Sequence, residues 1–127
     1  MNYEDLNKRL KQLNIEDKVW ILYIGIIIMS FYSNYFERNY FLTNDYKSKE
    51  KYRKITSLIF LILIIVYLYF LKDSINSIKE LKETDSKKKK NLVYLSFIGS
   101  LLIAISGFIF LYISLTDTDL NVEVAFN

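Results

Sequence analysis

The sequence predicts an all-α integral membrane protein with three transmembrane helices, an N-terminal amphipathic helix and a short C-terminal tail. Three observations carry this prediction. Residues 19–36 (VWILYIGIIIMSFYSNYF), 55–71 (ITSLIFLILIIVYLYFL) and 92–115 (LVYLSFIGSLLIAISGFIFLYISL) contain no charged side chain. Each approaches or exceeds the length needed to cross about 30 Å of hydrocarbon. The 17 Lys and Arg and the 14 Asp and Glu all lie between or outside these blocks. Finally, a chain of 127 residues that is 52% hydrophobic has too little polar surface to cover three all-round apolar helices in water.

Residues 1–18 read as a cytosolic amphipathic helix. Tyr3, Leu6, Leu10 and Leu13 recur at intervals of three and four, which lines one apolar stripe, and charges fill the other face. The stripe suits a membrane surface, a partner helix or this chain's own loops. With four Lys and Arg against four Asp and Glu it lacks the basic bias of an anionic-lipid binder. Asn14 followed by Asp17 offers an N-cap and a first-turn carboxylate, so the first span, 19–36, is expected to start afresh near Ile15. A cleaved signal peptide is not expected, because the charged stretch ahead of the apolar block is long and half acidic.

Residues 37–54 form a loop in this reading, with Thr43, Asn44 and Asp45 as the start signal of a second helix from Tyr46. In the second span, 55–71, thirteen of seventeen residues are Ile, Leu, Phe or Val. At about 0.3–0.6 kcal/mol each, these favour insertion by about 4–8 kcal/mol. Beyond it Leu71, Ile75, Ile78 and Leu81 keep helical spacing to about Lys82, so residues 72–91 read as a basic cytosolic stalk and turn. Asp85 or Ser86 then caps the third span, 92–115. Residues 116–127 form an acidic tail with three carboxylates and no Lys or Arg.

An odd number of spans puts the N-terminus and the 72–91 segment on one side. Together these carry eleven Lys and Arg, against six on the other side. The positive-inside rule therefore places the N-terminus in the cytoplasm, the tail outside, and the protein in the cell membrane.

Composition narrows the function classes. The absence of Cys and His removes the commonest metal ligands and the commonest general base, and no carboxylate pair faces the bilayer. No enzyme, cofactor or metal site is expected. The seven residues from Asp117 begin like a calcium loop, but Val122 stands where such a loop needs Gly. Spans without ionisable groups count against a proton-coupled transporter. The chain has no folded basic module to bind nucleic acid.

Three candidate sites remain. Ser96, Gly99, Ser100, Ala104 and Gly107 fall within about 140° of one face of the third span, where small side chains let another helix approach closely. That face is expected to contact this chain's own spans, a second copy or another membrane protein, and Gly25 of the first span is a candidate to receive it. Lys87, Lys88, Lys89 and Lys90 are expected to hold lipid headgroups or to set topology. In the tail, Leu120, Val122, Val124 and Phe126 alternate with Asn121, Glu123, Ala125 and Asn127. This is the period of a half-buried strand that could add to a partner's sheet, a reading set against a simple frayed terminus. The functional reading is a small multi-pass membrane protein acting non-enzymatically as an interaction, accessory or regulatory subunit. The alternative is a self-assembling membrane-perturbing or pore-forming effector.

Overall fold

A computed structural model describes residues 2–124. They form three α-helices: α1 (Tyr3–Thr43), α2 (Tyr46–Lys79) and α3 (Lys87–Thr116). At 1.5 Å per residue these measure about 62, 51 and 45 Å, so each outruns the hydrocarbon by a turn or more at an end. All three contain stretches long and apolar enough to cross a membrane.

The helix boundaries follow from local chemistry. The Asn2 side chain accepts from the Asp5 amide at 2.8 Å, and Glu4 and Asp5 sit favourably in the first turn of α1. The expected restart near Ile15 does not occur. No Pro or Gly interrupts residues 3–24, and the helical period passes through Asn14 and Asp17, which stay exposed. An N-cap residue stops a helix only where the backbone has another partner, and here it has none.

The segment expected to be a loop after residue 36 also differs. Glu37–Thr43 continue α1, and only Asn44 and Asp45 connect it to α2. Asn44 adopts the left-handed conformation, φ 55°, and returns its amide to the Tyr40 carbonyl. The Asp45 carboxylate accepts from the Lys47 amide and the Ser48 hydroxyl, which starts α2 at Tyr46 as expected. At the other end α2 stops at Lys79. Asp85 caps the intervening turn by accepting from the Lys82 amide, and the Ser86 hydroxyl receives the Lys89 amide at the head of α3.

The helices form a layer with α2 in the middle. Both α1 and α3 pack along α2, and among the described residues their backbones do not approach one another. One third of the apolar window of α2 is buried, against 17% for each flanking helix. The core is accordingly an α2 core: Ile59, Phe60 and Leu63 pack with Ile26 of α1 and Val124 of the tail.

Close approach of α2 and α3 depends on one small residue. A Cβ at Gly107 would stand 3.1 Å from Ile64 Cγ1 and from Tyr67 Cδ2, whereas one at Gly99 or Gly25 would meet nothing within 4 Å. Gly107→Leu is therefore expected to destabilise the folded protein in detergent by about 1–3 kcal/mol, the usual cost of overpacking. Gly99→Leu leaves stability undiminished. Denaturant titration of helicity in mixed micelles measures both.

Candidate functional site

A groove runs along one face of α2 between α1 and α3. At about 100° per residue, Tyr52, Thr56, Tyr67, Phe70 and Ser74 fall within about 60° of one another, so they share a side of α2. The tail occupies this groove at the end where α3 stops. At the end bearing the lysines the groove is open, as a cleft of about 360 Å³ lined by Tyr23 and Glu16 of α1, Tyr67, Asp73 and Ser74 of α2, and Ser96 and Ser100 of α3.

The filled end is polar beneath and apolar above. Ser33 of α1 and Thr56 of α2, both fully buried, share a hydrogen bond of 3.0 Å between their hydroxyls. Ser57 of α2 and Ser114 of α3 do the same at 3.3 Å. Above Ser33 on α1 lies Glu37, a buried carboxyl. It follows the charge-free 19–36 span directly, and the Tyr52 hydroxyl donates to it. The tail reaches this point by a tight turn. Asp117 accepts from the Asn121 amide at 3.0 Å and the Val122 amide at 2.8 Å, and Leu120 takes a positive φ of 54°. The Asn121 amide and, after it, that of Val122 hold the Asp117 carboxyl below the usual carboxylate range. Lys49 of α2 pairs with Asp119 at 3.7 Å, the Arg53 guanidinium donates to the Leu115 carbonyl at 3.0 Å, and Val124 is buried in the core.

The small-residue face divides between two environments. Ala104 and Gly107 are buried against α2, and Ser100 is half-buried. Ser96 and Gly99 stay exposed, with Ser96 and Ser100 turned into the open cleft. A Cβ at Gly25 meets nothing within 4 Å among the described residues, so Gly25 does not receive the α3 face. Ser114 continues the face one heptad beyond Gly107, a spacing that was available to a reading of the sequence.

The four lysines open α3. Lys87, Lys88 and Lys89 are exposed, Lys89 pairs with Asp85 at 3.2 Å, and Lys90 donates to the Glu83 carbonyl at 3.3 Å. Cations at a helix N-terminus oppose the macrodipole, so the helix itself gains nothing from them. Of the surfaces the amphipathic stripe suits, the chain's own elements do not cover it among the described residues. Its polar side meets the α2 stalk, through Lys8 with Glu80 and Gln12 with Asp73, while Tyr3, Leu6, Leu10 and Leu13 remain exposed.

In the tail no strand forms among the described residues. The positive φ at Leu120 breaks the extended course. Val122 is exposed, Val124 is buried within this chain, and Phe126 lies outside the described residues. Folding brings Glu37 and Glu123 together across 86 positions of sequence, a pairing that spacing along the chain does not show. A helical stripe of Ile26, Ser30, Ser33 and Glu37 is the signal that could have placed Glu37 on a packed face.

Comparison with known proteins gives no match: no family model, no curated sequence and no solved structure resembles the chain significantly.

The hydroxyl pairs join helices where water is scarce. A double-mutant cycle on Ser33→Ala and Thr56→Val is expected to give a coupling of about 0.6 kcal/mol, and at most about 1.7, in detergent unfolding. Additive effects would assign Ser33 and Thr56 to packing alone.

Proposed function

We propose that this small multi-pass membrane protein acts non-enzymatically, as an interaction or accessory subunit that receives a helix of another membrane protein. The observation that carries the reading is the half-filled groove. Three helices in a layer leave α1 and α3 apart. The tail closes that gap at one end, while Ser96, Ser100, Tyr23 and Tyr67 line an open cleft at the other. Small and hydroxyl-bearing side chains at a helix surface favour close helix association in lipid, and the adjoining Gly99 has room for a neighbour. Glu37 of the carboxyl pair is buried beneath the chain's own tail, which fits a structural use better than catalysis on a substrate. The basic end faces the cytoplasm of the cell membrane in this reading, because it carries the larger count of Lys and Arg.

The pore-forming alternative makes a different demand, since its helices must line water rather than meet a partner. Purified protein reconstituted into liposomes at modest load is expected to retain an encapsulated dye, and release of the dye would overturn the subunit reading in favour of the effector. In cells, Ser100→Leu is expected to reduce recovery of a co-purifying membrane protein by about tenfold, equivalent to about 1.4 kcal/mol, without altering this chain's own helicity.

A further inference from the structure

Glu37 is a carboxyl poorly placed to carry a negative charge. It is 9% exposed, its Oε2 has no hydrogen-bond partner among the described residues, and the carboxyl of Glu123 stands beside it. The cations nearby are directed elsewhere. Lys49 reaches Asp119 and the rings of Tyr40 and Tyr46, Lys51 lies 5.2 Å from the centre of the Phe36 ring, and Arg53 donates to the Leu115 carbonyl. Arg38, next along α1, is exposed. Two carboxylates in one partly dehydrated site repel unless a proton lies between them.

We propose that Glu37 and Glu123 form a proton-binding site that latches the C-terminal tail into the groove. With one proton between them the tail is seated over Tyr52 and Thr56. When that proton passes to bulk water beyond the exposed Glu123, the two like charges push the tail out. The filled half of the groove then opens, exposing Thr56 and Ser114 and joining the cleft at the basic end. The latch is a property of this chain alone and does not depend on the subunit reading.

The direction of the pH response follows from the surroundings. Burial first, and then the Glu123 carboxyl, push the Glu37 carboxyl up to about 7, and only the hydrogen bond from Tyr52 acts the other way. The same burial, with the neighbouring Glu37 charge, pushes the Tyr52 phenol up, so it stays a donor throughout this range. The seated state thus binds the proton more tightly than the released state, where Glu37 has an ordinary value near 4.5. Seating is fully favoured below that value and is lost as pH rises through about 7. Asp117 and Asp119 are the tail's other charges. Asp117 is held by backbone amides and Asp119 by Lys49, so neither reverses this sign.

Hydrogen exchange of the tail peptide, residues 117–124, tests the latch in the full chain reconstituted in nanodiscs. Comparing variants at the same pH removes the intrinsic pH dependence of exchange. At about pH 8.5 the tail of Glu37→Gln is expected to exchange at least about tenfold more slowly than wild type, since each unit between seated and released proton affinities is a tenfold bias. At about pH 4, below the released-state value, where the wild-type pair holds its proton in both states, the two are expected to match within about twofold. Equal exchange at the higher pH, or faster exchange in Glu37→Gln, would overturn the proposal. Should Glu37→Gln fail to fold, Glu123→Gln removes the repelling partner but leaves the buried carboxyl, so a smaller slowing at about pH 8.5 is expected, and equal or faster exchange there is again fatal.

Discussion

Peptide groups within hydrocarbon have no water to bond to, so each apolar segment must satisfy its own amides and carbonyls. That constraint makes the three apolar blocks helical and carries the helices past the bilayer on either side. It also explains why α1 ignores the cap signals at Asn14 and Asp17. Once the backbone is committed to one ladder, a polar side chain on its surface offers too little to break it. The junctions fall where a side chain does supply an alternative partner: Asp45 at the start of α2, Asp85 and Ser86 at the turn into α3, and Asp117 at the end.

Given three helices, their arrangement is decided by what each offers at close range. α2 has aliphatic bulk at Ile59, Phe60 and Leu63 together with hydroxyls at Thr56 and Ser57, so it meets α1 through Ser33 and α3 through Ser114. Gly107 lets Ile64 and Tyr67 come against the α3 backbone. Lipid tails are as apolar as leucine, so burial alone does not drive helix pairing there, and hydrogen bonds with close backbone approach carry the association. The long, exposed apolar faces of α1 and α3 are ordinary in that solvent.

The layer leaves a groove on one side of α2, and its two ends differ in chemistry. At the basic end it is lined by hydroxyls, tyrosines and an acidic rim. At the tail end it covers a carboxyl under the chain's own last described residues. The tail is held there by a balance of apolar burial at Val124, the Lys49–Asp119 pair and the shared position of two carboxyls. Such a balance responds to proton concentration in a way the helices do not. The least regular part of the chain is therefore also its most conditionally placed part.

Much of this was legible in the residue order. Charge-free blocks of sufficient length define the spans, Thr43–Asn44–Asp45 marks the α1–α2 junction, and four lysines behind Asp85 and Ser86 mark the head of α3. Those features are local, resting on backbone satisfaction and capping chemistry within a few residues. The contact face of α3 was half legible: its periodicity found Ala104 and Gly107, while Ser96 and Gly99, on the same stretch, stay exposed, with Ser96 along the open cleft. Only the tertiary structure decided that α2 is the central helix, that the tail turns back instead of extending, and that Glu37 meets Glu123. Each of these depends on groups far apart in the chain arriving at one place, and spacing along a single helix holds no information about where another segment will come to rest.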